Sequence, residues 1–524
     1  MSGLFHVTTA GNLRRVTSFF GKFKVFLHRD NIVEGFMKAK IGLFLFTMLA
    51  WTGMGFAGPA EDAATSYFNL KSQITYTTTT TTLILSQDAT ACSPVPTTMP
   101  GVMPGWGSTT PITCVASAKA TPQNLAEMLE TYWTKSAKYK GVTLELGTNI
   151  DLGEYSAATE EGKCDVNHVP FPAIDSTMFN GNGKYIKNLC YVVSDVKEPV
   201  GLFKSANRVT IKNVKFDGVR IIVGGESTKG ESYHPVGTLA GEVTFSLIDS
   251  ISITNAAIQG PIAGGLVGYV RNATLSNIVG DGVTVSNAVA ITEGYAGSAE
   301  LKLETGYNVF LGGLAGVVVR DESEGDKTFV NDSIRVEVRD EALGHKSALG
   351  GIAGYVKTVG NTNENLQVVK KVGTQSEVLP SRISGGASMG GLFGALTVFK
   401  STNGEAKDNT GKFILRNSKF GGEIQKASST DIMAVGGLVG FDSTESSASF
   451  QVMEGYADID LTDVLQVAGK YQYFAGGIVG YGASCMNGSL ADTDYLSIKN
   501  SKTEGSIRFR PRQPRSPACI AMPT

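Results

Sequence analysis

A five-residue glycine module occurs six times in this chain and constrains its fold more than any other sequence feature. Each copy has two glycines, an aliphatic residue, a variable residue and a third glycine. The copies are Gly264-Gly265-Leu266-Val267-Gly268, Gly312-Gly313-Leu314-Ala315-Gly316, Gly350-Gly351-Ile352-Ala353-Gly354, Gly390-Gly391-Leu392-Phe393-Gly394, Gly436-Gly437-Leu438-Val439-Gly440 and Gly476-Gly477-Ile478-Val479-Gly480. A degenerate copy, Gly237-Thr238-Leu239-Ala240-Gly241, precedes them. Internal repetition of this kind predicts a solenoid or another repeat architecture.

A second pattern follows the glycine modules: an aliphatic residue, one variable position, and then Asn or Asp. It occurs at Asn213, Asp249, Asn277, Asn417 and Asn500. The first glycines of successive modules, from Gly237 onward, are 27, 48, 38, 40, 46 and 40 residues apart. These spacings fit one coil of about 20–27 residues, or two coils with loops.

The segments between the glycines are short, alternate in polarity, and are rich in Val, Ile, Thr and Ser. That alternation is typical of half-buried strands. Glycine allows positive φ and close backbone approach at a tight corner, and stacked Asn amides bond to the copies above and below. A glycine-rich disordered chain is the alternative, and a hydrophobic content of 42% argues against it. The sequence therefore predicts an all-β parallel β-helix.

The glycine module resembles the GLUG repeat of bacterial surface proteins. The stretch from Phe179 to Leu189, with the later Val200-Gly201-Leu202-Phe203, resembles the opening of adhesin-like and pectate-lyase-like β-helices, although Asn180 replaces their usual Asp. The resemblance covers residues 140–507. It implies a right-handed parallel β-helix, which we assign to residues 121–507, and a secreted or cell-surface role that is often adhesive.

The N-terminal part of the chain predicts export. Residues 37–60 have a basic start, an apolar run from Ile41 to Phe56 and small residues after it, as in a secretory signal peptide. The mature protein is then expected to begin at Gly58 or Glu61, without a transmembrane segment. Residues 1–36 are interpreted as a mis-assigned upstream extension. The alternatives are a long n-region and a retained membrane anchor.

Two flanking regions differ from the repeats. Residues 61–120 are rich in Thr, Pro and Gly and indicate a linker or a small β appendage. A helix is expected from Thr121, with Leu125, Met128 and Leu129 on one face, where it would cap the solenoid ahead of a first strand at 142–146. Residues 508–524 are basic and Pro-rich, and are interpreted as a disordered or frameshifted tail.

The six cysteines fit an oxidising compartment, with Cys92–Cys114 and Cys164–Cys190 as the local pairing hypotheses. No Cys-x-x-Cys or Cys/His cluster occurs, so no zinc site is predicted, and no cofactor is expected. A net charge of −2 gives no reason to expect nucleic acid as a partner.

Three functions remain open. The first is a non-catalytic surface protein that binds glycans or a surface protein. The second is a polysaccharide lyase or glycoside hydrolase, which would need clustered carboxylates or a cationic base. The sequence lacks Gly-His-Gly, Asn-Thr-Asp, Asp-Asp and Asp-His, so no catalytic residue is assigned. The third is a structural spacer of a larger surface protein.

One set of residues is a candidate binding platform. The residue after the third glycine is aromatic in four modules, at Tyr269, Tyr355, Phe441 and Tyr481. Equal positions of a solenoid align, so these rings are expected to form a ladder. An exposed ladder suits sugar rings or a partner surface, whereas an internal one only stabilises the coils.

Overall fold

The fold is described from a computed structural model. It describes residues 82–85, 143–152, 173–193, 198–223, 235–287, 307–321, 327–340, 346–369, 380–399, 411–425, 434–444, 448–462, 474–482 and 496–507. All of these belong to one compact unit, Thr75–Thr524. Within these ranges every regular element is a β-strand, and no helix is long and apolar enough to cross a membrane.

The strands form three sheets, and every strand pair in them is parallel. Sheet 1 contains Thr82–Leu85, Thr143–Leu146, Ile150–Asp151, Met178–Asn180, Tyr185–Lys187, Cys190–Val193, Thr210–Asp217, Arg220–Val223, Leu247–Gln259, Thr274–Ser276, Val279–Asn287, Phe329–Val330, Ser333–Asp340, Asn361–Glu364, Gln367–Val368, Ser381–Ser384, Lys412–Arg416, Lys419–Gln425, Ser449–Met453, Tyr456–Thr462, Leu496–Lys499 and Lys502–Ile507. Sheet 2 contains Val236–Gly237, Ile262–Gly264, Val309–Gly312, Ser347–Gly350, Ser388–Gly390, Ala434–Gly436 and Phe474–Gly476. Sheet 3 contains Ile174–Asp175, Phe203–Asn207, Ala240–Thr244, Val267–Arg271, Ala315–Arg320, Ala353–Thr358, Phe393–Val398, Val439–Asp442 and Val479–Gly482. This architecture confirms the all-β, parallel-sheet class and is consistent with a β-helix solenoid.

Each glycine module marks one coil. The chain passes from sheet 2 through the double glycine into sheet 3 and then into sheet 1, as in Ile262–Gly264, Val267–Arg271 and Thr274–Asn287. The first glycines of successive modules pair in register along sheet 2, from Gly237 with Gly264 to Gly436 with Gly476. The interval between modules is therefore one coil. Two coils per interval, one of the two interpretations of the spacings, is therefore excluded. The predicted coil length of about 20–27 residues holds only for the 27-residue interval from Gly237 to Gly264, because the other five intervals are 38–48 residues long.

A continuous hydrophobic core fills the space between the sheets. The aliphatic residue of each module enters it, and Leu266, Leu314, Ile352, Leu392 and Leu438 all have 0% exposure. The neighbouring coils above and below cover this leucine or isoleucine. A single isolated coil would therefore leave its side chain exposed to water. Stacking therefore supplies the burial that stabilises every coil.

The second glycine of the module is required by close approach between coils. A Cβ on Gly265 would lie 2.1 Å from the Gly313 carbonyl oxygen, and one on Gly313 would lie 2.0 Å from the Gly351 carbonyl oxygen. The same contact recurs from Gly351 to Gly391 at 2.3 Å. None of these glycines has a positive φ. Of the two reasons that the sequence analysis gave for glycine at the corner, positive φ is wrong for these positions, and close backbone approach is confirmed.

The Asn residues form a ladder at a bend within sheet 1. Asn277, Asn331, Asn365 and Asn417 have φ between 46° and 57° and occupy equivalent positions in successive coils. Asn365 Nδ2 donates to Asn331 Oδ1 at 2.7 Å, and Asn417 Nδ2 donates to Asn365 Oδ1 at 2.7 Å. Asn213, Ser250, Glu454 and Asn500 take the same position in other coils and also have positive φ.

Asp249 is displaced by one residue from this ladder. It pairs with Lys212 and Ser276, and Ser250 takes the left-handed position beside Asn213 and Asn277. The Asp249 carboxylate instead accepts hydrogen bonds from Ser250 Oγ at 3.0 Å and from Asn277 Nδ2 at 2.7 Å. The sequence pattern treated Asp249 as the equivalent of Asn213, and the register contradicts that equivalence.

We expect Asn365→Ala to destabilise the protein by about 2 kcal/mol. Alanine in the left-handed region costs about 1–2 kcal/mol, and two amide hydrogen bonds are lost with it. Asn365→Gly is the matched control, because glycine tolerates this φ and removes only the hydrogen bonds. Chemical denaturation should rank alanine below glycine and glycine below the wild type, and equal stability of all three would refute the ladder's role.

Several sequence predictions fall outside the described residues. They are the upstream extension, the signal peptide, the helix from Thr121, the tail at 508–524 and Cys92, Cys114 and Cys164. Cys190 is disulfide-bonded, and the other five cysteines all lie outside the described part, so its pairing with Cys164 stays a prediction. The strand Thr82–Leu85 pairs with Thr143–Leu146, so sheet 1 begins inside the stretch predicted to be a linker or appendage.

Candidate binding surface on the outer face of sheets 2 and 3

The four candidate aromatic residues lie in one row of sheet 3. Pairing runs in register from Tyr269 to Tyr481, one residue per coil. The row consists of Tyr269, Val317, Tyr355, Ala395, Phe441 and Tyr481. This register confirms the prediction that the residues after the third glycine align from coil to coil.

The row faces away from the main core because strand alternation breaks at the third glycine. Val267 and Val270 both enter the main core, whereas Tyr269 belongs to a separate apolar cluster. Simple alternation would place Val267 and Tyr269 on one face. Gly268 lies between them, and its Cβ would sit 2.2 Å from the Val236 backbone nitrogen in sheet 2. The third glycine thus lets the two sheets approach and turns the aromatic ring outward.

This outer cluster combines residues of both sheets. Sheet 2 contributes Ile262, Phe310 and Ala348, sheet 3 contributes the row from Tyr269 to Ala395, and Phe441 packs against them. Ser388 Oγ of sheet 2 also donates to the Gly394 carbonyl of sheet 3 at 2.6 Å. We call this apolar cluster, where the outer faces of sheets 2 and 3 meet, the outer cluster.

Tyr307 fills a gap in the outer cluster. Its ring centroid lies 6.4 Å from that of Phe310 in its own coil and 6.4 Å from that of Phe441, three coils further on. The intervening coils carry the small residues Ala348 and Ala395, which leave room for the ring. Tyr307 is 7% exposed, and burial raises its pKa to about 12 although a hydrogen bond with Ser388 lowers it. This tyrosine therefore ties four successive coils together from outside the core.

The outward row is buried along most of its length. Tyr269 is 9% exposed and Tyr355 is 2% exposed, so these two rings do not form an open platform. Phe441 and Tyr481 are half-buried, and their rings stack at 4.8 Å between centroids with an interplanar angle of 3°. The structure therefore restricts a ring-binding surface to the Phe441–Tyr481 end of the row.

Hydroxyl groups accompany the aromatic row at this end. Tyr355 OH donates to Thr397 Oγ1 at 3.1 Å, and Thr397 Oγ1 lies 2.6 Å from Ser443 Oγ. Ser443 Oγ also donates to the Leu396 carbonyl at 3.2 Å. Flat rings beside hydroxyl groups offer both stacking and hydrogen bonding, which is the combination that a sugar ring uses.

An aspartate lies beneath this surface in the core. Asp442 takes the inward position that Val356 and Leu396 occupy in the preceding coils, and it is 1% exposed. Its carboxylate accepts a hydrogen bond from the Thr444 backbone nitrogen at 3.0 Å and another from the Thr444 hydroxyl. Burial outweighs these hydrogen bonds and raises its pKa to about 6.

Because the folded-state pKa of Asp442 is above its ordinary value of 3.8, its contribution to stability depends on pH. The contribution is fully present below pH 3.8 and is lost as pH rises through about 6. A difference of about two pKa units corresponds to about 3 kcal/mol. We expect urea denaturation to show a loss of stability with rising pH that is smaller in Asp442→Asn than in the wild type by about this amount. An unchanged pH profile in that variant would contradict the assignment.

The clustered carboxylates that a glycoside hydrolase needs would have to come from acidic segments such as 321–324 and 458–460. Asp321 is bound to Arg271 Nη2 at 2.6 Å and to Asn272 Nδ2 at 2.6 Å. Asp458 and Asp460 lie in the sheet 1 strand Tyr456–Thr462. Across the described ranges, no group of three or more His, Cys, Asp or Glu residues is arranged to hold a metal ion.

Comparison with known proteins adds nothing to the architecture or the function. No protein-family profile matches the chain, and no curated protein matches it. Among solved structures, a Bacteroides ovatus protein described as a "putative immunoglobulin A1 protease" is similar, with 16% identity, 66% of this chain and 79% of that chain covered, and a TM-score of 0.31. A score this low carries no argument, so the fold assignment rests on the strand pairing above.

Proposed function

We propose that this chain is a secreted or cell-surface repeat protein that binds a carbohydrate without chemical turnover. In this proposal the scaffold is a right-handed β-helix of the GLUG type, capped by the helix expected from Thr121. The observation that carries the proposed binding role is the half-buried, parallel stack of Phe441 and Tyr481.

The physical case for this site is its composition. Stacking of the two rings contributes about 0.5–1.5 kcal/mol beyond the burial of their area. That contribution would not be lost if the rings were fully buried, so stacking alone does not explain why they are partly exposed. Thr397 brings a hydroxyl group on the adjacent strand Phe393–Val398, and Ser443 brings another directly after the strand Val439–Asp442 that carries Phe441. Aromatic surface bordered by a few polar groups is the usual composition of small-ligand sites. A surface protein partner remains the alternative occupant.

The test is a double variant, Phe441→Ala with Tyr481→Ala. We expect it to reduce binding on a glycan array and, because both rings are half-buried, to lower the thermal transition by less than Tyr355→Ala does. Some loss of stability is expected, since Phe441 also contacts Tyr307. Tyr355→Ala is the matched control from the same row. It should lower stability by about 3–5 kcal/mol, because its ring is 2% exposed.

Two results would count against the proposal. If the full chain retains no glycan and binds a surface protein instead, the carbohydrate assignment fails. If glycan binding survives the double variant, the ligand does not use these rings, and Phe441 and Tyr481 are a structural stack.

A further inference from the structure

Three bends in the coil stack share one hydrogen-bonding device. In each, a serine directly follows a residue with positive φ: Ser246 after Phe245, Ser418 after Asn417 and Ser501 after Asn500. The serine Oγ accepts a backbone N–H from the preceding coil, from Val209 at 3.0 Å, Leu366 at 3.3 Å and Gly455 at 3.0 Å. The same Oγ donates to the carbonyl two residues earlier, of Thr244 at 2.6 Å, Arg416 at 2.9 Å and Lys499 at 3.0 Å.

The serine hydroxyl makes two hydrogen bonds at each bend. The left-handed residue interrupts the regular ladder, and the serine oxygen accepts the N–H of the preceding coil that this interruption leaves without a strand partner. The carbonyl two residues earlier already accepts a backbone N–H from the preceding coil, and the serine proton adds a second hydrogen bond to it. The device therefore uses a side chain that both accepts and donates.

Asp332 occupies the same position at a fourth bend. It follows Asn331, which has φ 57°, and its Oδ1 accepts the Ile278 backbone N–H of the preceding coil at 2.8 Å. Its side chain is 0% exposed. Its second oxygen, Oδ2, is buried and accepts no hydrogen bond within the described part of the chain. An ionised carboxylate has no proton to donate, so it reproduces only half of the serine's function.

The surroundings of Asp332 also disfavour a negative charge. Burial raises the pKa of Asp332 well above its ordinary value, and the charge of Asp249 raises it further. Backbone hydrogen bonds at Ile278 and Val330 lower it and do not overcome the burial. On the next strand, Glu364 is paired with Lys327, so that ammonium group is already neutralised.

We propose that Asp332 is a proton-holding site of the coil stack: its carboxyl group stays protonated in the folded protein at neutral pH and acts as a donor and acceptor in place of serine. Deprotonation accompanies opening of the coil around Asn331. The stack thereby gains stability on acidification.

The expected effect has a definite sign. The folded-state pKa is raised, so the stabilising contribution is fully present below pH 3.8 and is lost as pH rises towards the folded-state value. To separate this from Asp442, the experiment uses Asp442→Asn as the background in the full chain. In that background the urea midpoint should fall between pH 4 and pH 7. Adding Asp332→Ser should remove the fall and raise the midpoint at pH 7.

Infrared spectroscopy gives a readout independent of stability. At pH 7 the Asp442→Asn protein should show the carbonyl band of a protonated carboxylic acid, and the band should disappear on adding Asp332→Ser. Asp332→Asn serves as a second variant, because an amide also donates and accepts and should fold if serine does not. The proposal is overturned if the band is absent at pH 7, or if neither variant changes the dependence of the midpoint on pH.

Discussion

Gly313→Ala is expected to destabilise the protein by about 3 kcal/mol, the upper part of the range for overpacking a rigid interior. The added Cβ would lie 2.0 Å from the Gly351 carbonyl oxygen and 3.2 Å from Val336 Cγ2. The nearest obstacle is backbone of the next coil, which cannot rotate away as a side chain could. The clash can be relieved only if the two coils move apart. That movement would also expose the buried aliphatic residues of the two modules, Leu314 and Ile352. Thermal and chemical denaturation would measure the loss.

Gly183→Ala is the matched control for this prediction. Gly183 has φ 70° and no heavy atom within 4 Å of the position of a Cβ. Gly183→Ala should lower the free energy of unfolding only by the cost of the left-handed backbone conformation, about 1–2 kcal/mol. Gly183→Asn should lower it by less, because Asn tolerates this conformation better. If Gly313→Ala melts together with Gly183→Ala, close packing of the coils is not what selects glycine in the modules.

Tyr307→Ala is expected to cost about 3–5 kcal/mol, as for a buried aromatic residue replaced by alanine. The ring touches Phe310 and Phe441, which belong to coils three apart, so its loss leaves a cavity over the small residues Ala348 and Ala395. Tyr307→Phe keeps the ring and removes only the hydroxyl group that bonds with Ser388. The phenylalanine variant should lose no more than about 1 kcal/mol.

A double-mutant cycle would test whether Tyr307 acts through Phe441. Rings in contact should give a coupling free energy of about 0.5–1.5 kcal/mol between Tyr307→Ala and Phe441→Ala. Strict additivity of the two changes would show that Tyr307 does not tie the distant coils together and would leave it as a local side chain of its own coil.

The coil architecture could be predicted from the sequence because each module is local and repeated. The same five-residue module forms the same corner in six coils. One copy could arise by chance, but six copies indicate a repeated structural unit. The reason for the glycines was harder to predict. Positive φ and steric exclusion leave the same sequence signature, and only the 2.0–2.3 Å distances at Gly265, Gly313 and Gly351 distinguish them.

The location of the aromatic rings could not be predicted from alternation. Val267 and Tyr269 are two residues apart, yet one enters the main core and the other the outer cluster, because Gly268 breaks the pattern. The register at Asp249 in sheet 1 could not be predicted either. The sequence pattern aligns Asp249 with Asn213, whereas the strands pair Asp249 with Lys212, one residue away. Tyr307 belongs to no repeat, so no periodic signal marks it. Its role comes from contacts with Phe441, more than a hundred residues away in the chain.

The most direct test of one module per coil is disulfide trapping across sheet 1. Arg382 and Glu423 pair in register, with Arg382 Nη2 3.1 Å from Glu423 Oε2, so cysteines at 382 and 423 should form a disulfide that peptide mapping detects. Cysteines at 337 and 423 are two coils apart, about 10 Å, and should not pair, because bridged Cα atoms lie within about 7 Å. Trapping of 337 with 423, without 382 with 423, would contradict the coil order on which the whole description of this protein depends.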